Sequence, residues 1–185
     1  MSQIGHNNGP SMETGRGFRV HAWSKARADL IPNLPIEILR GRVRRAKELG
    51  LPYKTYASVR ASTGRDVVGF LFSNNALRVL RPGAVIPQGH AAHIAMLDNV
   101  ILTGLAHPPI GPDTLVAQGL AAAGPAPHFA ARWSDIREMV KAPIRHAKLP
   151  SDGVLVIGCT AHERDWSEAA KLAGYLNAET YFAGA

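Results

Sequence analysis

The amino-acid sequence predicts an α/β fold: a mainly parallel sheet of about four strands with flanking helices, preceded by a basic N-terminal helical pair. Three observations predict it. Short continuous apolar runs end in turn residues, as strands buried on both faces do. Helix-length segments separate those runs, so strand and helix alternate in the manner of parallel crossover units. Cations gather ahead of the sheet: residues 1–82 carry fourteen Lys and Arg against five Asp and Glu, whereas residues 83–185 carry seven against nine. The expected organisation is a flexible arm over 1–17, a basic helical segment over 18–63 and the α/β domain over 64–185.

The arm is marked by Gly5, Gly9, Gly15 and Gly17 among Asn7, Asn8, Pro10 and Ser11, without apolar periodicity. Asn33 can cap a first helix that carries Pro35 in its first turn, where the missing donor is tolerated. Ile36, Leu39, Val43 and Ala46 fall three and four apart, one apolar stripe on a helix that Gly50 stops. Arg40, Arg42, Arg44, Arg45 and Lys47 cover most of its remaining surface. Residues 53–62 (YKTYASVRAS) read as a second, short helix ended by Gly64.

The strand candidates are 67–72 (VVGFLF), 100–105 (VILTGL), 154–157 (VLVI) and a weaker 180–182 (TYF). Helical candidates lie at 76–80, 91–97, 114–123, 134–141 and 167–176. Pro125 and Pro127 mark one loop, and residues 143–152 another.

The hydrophobic fraction of 46% and the charged fraction of 19% are those of a soluble globular chain. No apolar run approaches the roughly 18 residues of a membrane helix, so no membrane partner is expected. Residues 1–17 lack the basic and apolar regions of a secretory signal. A lone Cys159 excludes an internal disulfide and a cysteine-rich zinc module, which points to the reducing cytoplasm. His90 and His93, three residues apart, could share a metal with His107, but no carboxylate or thiol signature accompanies them, and no metal is expected. Neither GxGxxG nor GxxxxGK[ST] occurs, and no cofactor is expected.

A formal charge of +7 favours anionic partners. The leading expectation is nucleic-acid binding, to DNA or RNA, with Arg40, Arg42, Arg44, Arg45, Lys47, Lys54, Arg60 and Arg65 contacting phosphates. Against it stands a merely solvated helix face, for which the Arg44–Glu48 spacing is suited. Tyr53 and Tyr56 are read as packing residues in preference to base-stacking ones. A helix-turn-helix, with Arg65 opening the recognition helix, is disfavoured because VVGFLF offers no polar face to base edges.

The first alternative is a small α/β enzyme or ligand-binding protein for a nucleotide-like or phosphorylated molecule at the carboxyl ends of the strands. Ser73, Asn74, Asn75, Gly158 and Thr160 would bind the ligand, Gly158 and Thr160 through backbone donors near a helix N-terminus. His162 and Glu163 are its acid/base candidates, and Cys159 its candidate thiol. Asp165 and Glu168 have capping-box spacing, so a helix is expected to begin near Ser167. A second alternative is an assembly subunit whose basic segment docks an acidic protein. The sequence assigns no reaction.

Overall fold

A computed structural model describes residues 35–183. The expected arm, the start of the basic segment and the Asn33 cap lie outside the described residues. The chain divides between Leu39 and Arg40, and the larger unit carries every element below except the first turn of α1.

In chain order the elements are α1 (Ile36–Glu48), α2 (Tyr53–Thr63), β1 (Gly69–Ser73), α3 (Gln88–Ala95), β2 (Ile101–Ala106), α4 (Pro112–Val116), β3 (Ala122–Pro125), α5 (Trp133–His146), β4 (Val154–Gly158), α6 (Ala161–Ala169), β5 (Gly174–Asn177) and α7 (Ala178–Ala183). The basic helical pair is therefore present as α1 and α2. Gly64 closes α2 at φ 71°, a left-handed cap in which its N–H donates to Arg60 O at 2.9 Å.

The sheet has five strands, one more than expected, in the order β3-β2-β1-β4-β5. Every neighbouring pair is parallel. Alternation along the central strands explains why their sequences read as unbroken apolar runs. Phe70, Phe72, Leu155 and Ile157 pack into one core with Leu49, Tyr56, Leu77 and Tyr181. Leu71, Val154 and Val156 pack into the opposite core with Ile136, Val140, Ile144 and Trp166. Each such side chain contributes about 1.5–3 kcal/mol of burial, so β1 and β4 are fixed from both sides.

Several elements differ from expectation. The expected strand at 180–182 lies in α7, and the outer strand is instead β5, which begins inside the segment expected to be helical over 167–176. Residues 114–123 divide into the one-turn α4 and the start of β3. In place of the helix expected at 76–80, residues 74–78 form a turn, held by Ala76 N–H donating to Ser73 Oγ and by Arg78 at φ 58°. Pro143, expected in a loop, lies inside α5. Pro143 sits against Gly124, where an added Cβ would lie 3.4 Å from the proline ring.

The inward face of α1 is also rotated from the expected stripe. Ala46 and Leu49 are buried, while Val43 is 37% exposed. Arg42 and Arg45 share the inward side, three residues apart and in line with Ala46 and Leu49.

Candidate functional site

Two places gather the polar residues singled out by sequence: α1, and the carboxyl ends of β1, β2 and β4.

On α1, Arg45 is turned into the fold. Its Nε donates to Asp66 Oδ2 at 3.0 Å, Nη1 to Glu48 Oε2 at 2.8 Å and Asp98 O at 3.2 Å, and Nη2 to Val67 O at 2.9 Å and Asn99 O at 3.0 Å. A guanidinium has five N–H donors, and all are engaged. Burial opposes the charge, but Glu48 and Asp66 outweigh it and raise the Arg45 pKa. Arg42 also faces inward, with a buried Nε that has no protein partner among the described residues.

Tyr56 is buried, and its hydroxyl donates to Asp66 Oδ1 at 2.8 Å, as a packing residue would. Arg60 lies 3.8 Å from Asp66, and Arg65 lies 2.6 Å from Asp152. Arg40, Arg44, Lys47 and Lys54 are exposed. With about 100° of turn per residue, Arg40, Arg44 and Lys47 form one row, opposite the Arg42–Arg45–Leu49 side. Arg44 approaches Glu48 only to 4.0 Å.

At the strand ends the polar residues mostly bind one another. Ser73 is fully buried, and its Oγ accepts from Ala76 N–H at 3.0 Å. Asn74 donates from Nδ2 to Val79 O at 2.9 Å and accepts the His107 N–H on Oδ1 at 2.8 Å. Both therefore shape the turn after β1.

Glu163 is the centre of the cluster and is 0% exposed. Its Oε1 accepts from Asn75 Nδ2 at 2.9 Å and from His107 Nε2 at 3.1 Å. Its Oε2 accepts the N–H of Cys159 at 2.5 Å and of Thr160 at 3.1 Å. Burial pushes the Glu163 pKa up, but donors from His107, Cys159, Asn75 and Ser73 outweigh it and hold it at about 2. The group is a buried carboxylate that remains ionised.

The local sequence explains its position. Thr160 caps α6, its Oγ1 accepting the Glu163 N–H at 3.2 Å while Glu163 reaches back, a capping box. The capping pair is thus Thr160–Glu163 and not Asp165–Glu168, and α6 begins before the expected position near Ser167. Gly158 permits the close approach, since a Cβ there would lie 2.8 Å from Glu163 Oε2 and 3.0 Å from the Tyr175 ring.

The consequences for the strand-end candidates are specific. Of the two backbone donors expected to hold an anion, Gly158 and Thr160, the Thr160 amide already holds Glu163, as does the neighbouring Cys159 amide. Burial and the Glu163 charge push the Cys159 thiol pKa up, away from thiolate chemistry. His162 donates from Nε2 to Pro127 O at 3.1 Å, so it faces the loop after β3 and not Glu163. His107, a candidate partner of His90 and His93 on sequence grounds, has Glu163 as its partner. His90 instead stacks on Phe182 at 3.7 Å between ring centroids. Among the described residues no three of His, Cys, Asp and Glu are placed to hold one metal ion.

Topologically, β2 and β3 continue on one side of β1, and β4 and β5 on the other. The crevice between β1 and β4 is the switch point at which ligands of open α/β sheets bind. Asn75 and Glu163 meet across it. The Thr160-x-x-Glu163 capping spacing, and not the Asp165–Glu168 one expected from sequence, is the one local sequence signal for this junction; its joining to Asn75 and His107 is non-local and carries none. Among the described residues no helix is long and apolar enough to cross a membrane. The chain matches no protein-family model, no curated protein and no solved structure.

Proposed function

We propose that the protein binds nucleic acid along the outward row of α1, with Arg40, Arg44 and Lys47 contacting successive phosphates and Lys54 extending the surface. The observation that carries this reading is the sorting of α1 cations: Arg42 and Arg45 face inward, and Arg40, Arg44 and Lys47 are exposed in one row. The row spans about 10 Å at 1.5 Å rise per residue. One strand of a duplex presents a charge about every 3.4 Å of axis, so three contacts fit along it. Arg45 anchors the helix that displays them, which limits the ordering cost of binding. The cytoplasm, suggested by the single unpaired cysteine, is the compartment for this role.

The test is fluorescence anisotropy of labelled single- and double-stranded DNA and RNA with the full chain. The triple variant Arg40→Glu, Arg44→Glu, Lys47→Glu is expected to lose binding while keeping its thermal midpoint within a few degrees. Retention of wild-type affinity by the folded triple variant overturns the proposal. Capture of an acidic protein by the row, with no nucleic-acid binding, would instead support the assembly-subunit reading.

A further inference from the structure

We propose that His107 presents its Nδ1 lone pair as a proton acceptor to a small, uncharged or cationic ligand over the end of β1. This site is separate from the α1 surface. An ionised carboxylate only accepts, so the hydrogen between Glu163 Oε1 and His107 Nε2 belongs to the imidazole. In its neutral form the ring then carries its lone pair on Nδ1. No bond to Nδ1 is made among the described residues, and the His107 side chain is 25% exposed.

The ring is held in three ways. Asn74 fixes its backbone, Glu163 fixes Nε2, and the Trp166 ring stacks on it at 5.5 Å between centroids and 29°. Such triple support is what a preorganised acid–base group needs, and a surface histidine does not receive it. Trp166 is itself fully buried, with an indole N–H that has no protein partner among the described residues.

The ligand class follows from charge. The amides of Cys159 and Thr160 at the start of α6 are bonded to Glu163, and its negative charge lies beside the site. A phosphorylated ligand would have to displace a buried carboxylate. A molecule offering an O–H or N–H is instead attracted. In the step proposed, that X–H bond breaks, its electron pair stays on X, and its proton passes to Nδ1. The resulting imidazolium is balanced by Glu163, which acts as a positioning residue.

The test uses p-nitrophenyl acetate and the full chain. Water gives its proton to Nδ1 as its oxygen bonds the ester carbonyl, and p-nitrophenolate leaves with the electron pair of the broken bond. The wild type is expected to hydrolyse the ester at least tenfold faster than His107→Asn. Nitrogen-15 spectra of the unmodified protein should show His107 protonated on Nε2 and bare on Nδ1, a signature that Glu163→Gln shifts toward a tautomer mixture. Equal rates in the folded His107→Asn variant, or an Nδ1–H ring in the wild type, overturn the proposal. Inorganic phosphate is expected to leave the thermal midpoint unchanged; stabilisation by phosphate that is lost in Glu163→Gln would overturn the ligand class.

Discussion

Arg45 Nε donates to Asp66 Oδ2 at 3.0 Å, and this pair fastens α1 to the segment entering β1. The same guanidinium also ties Glu48, Val67, Asp98 and Asn99, so α1, the β1 entry and the loop before β2 meet on one cation. Asp66 in turn holds Tyr56 of α2. Removing Arg45 leaves several acceptors without their donor at once.

Arg45→Ala is therefore expected to destabilise the fold by about 2–4 kcal/mol, somewhat below the about 3–5 kcal/mol for breaking a fully buried ion pair, because Asp66 is part-exposed. Arg44→Ala, on the exposed row, is expected to change stability by less than about 0.5 kcal/mol. Urea denaturation of the two variants checks both values. Equal effects would mean that the inward and outward arginines are not energetically distinct.

Glu163 gives a pH dependence whose sign is fixed. Its pKa falls from an ordinary 4.5 to about 2 on folding, so the unfolded chain binds the proton more readily. The stabilisation is fully present above about pH 4.5 and is lost as pH falls toward 2. Its size is on the order of 3 kcal/mol. Glu163→Gln should flatten the stability curve across that interval while lowering the plateau above it.

Burial of His93, reinforced by His90, lowers its pKa below the ordinary 6.5. Folding thus favours the neutral ring. Stability is full above about pH 6.5 and declines as pH falls toward the lower folded value. His93→Leu is expected to shrink that first acid-sensitive phase, leaving the share of His90, whose pKa burial also lowers, and the Glu163 phase in place. Thermal midpoints between pH 7 and 3 separate the two.

Gly158→Ala places a methyl group 2.8 Å from Glu163 Oε2 and 2.9 Å from its Cβ. The cost expected from such overpacking is about 1–3 kcal/mol. It should be accompanied by a weakened acid transition of Glu163, because the capping carboxylate is the group displaced. Gly64→Ala would act differently, by forcing a side chain into the left-handed region at open space.

The parts of the fold legible in the sequence were those buried on both sides. Segments 67–72, 100–105 and 154–157 announced β1, β2 and β4 because both cores demand apolar residues there. The edge strands gave no such signal. β3 is AAGP and β5 is GYLN, without β-branched side chains and with only one paired side each. The TYF run misled because Tyr181 and Phe182 pack from a helix, and a run of three has no period. On α1, periodicity alone placed Val43 inward, since it has no means of valuing an arginine whose five donors find partners up to 54 positions away. The strand-end residues Asn75, Cys159, Thr160 and Glu163 do come together, but mainly to bind one another. Their union with His107 spans 56 positions and was invisible locally.

The most direct test of the α1 surface is the salt dependence of nucleic-acid affinity. Three phosphates neutralised on duplex DNA predict a slope of log affinity against log salt near about −2.7, falling toward zero in the folded triple variant. A wild-type slope near zero, or a steep slope that survives in the triple variant, would contradict the assignment of Arg40, Arg44 and Lys47 as the phosphate-contacting row.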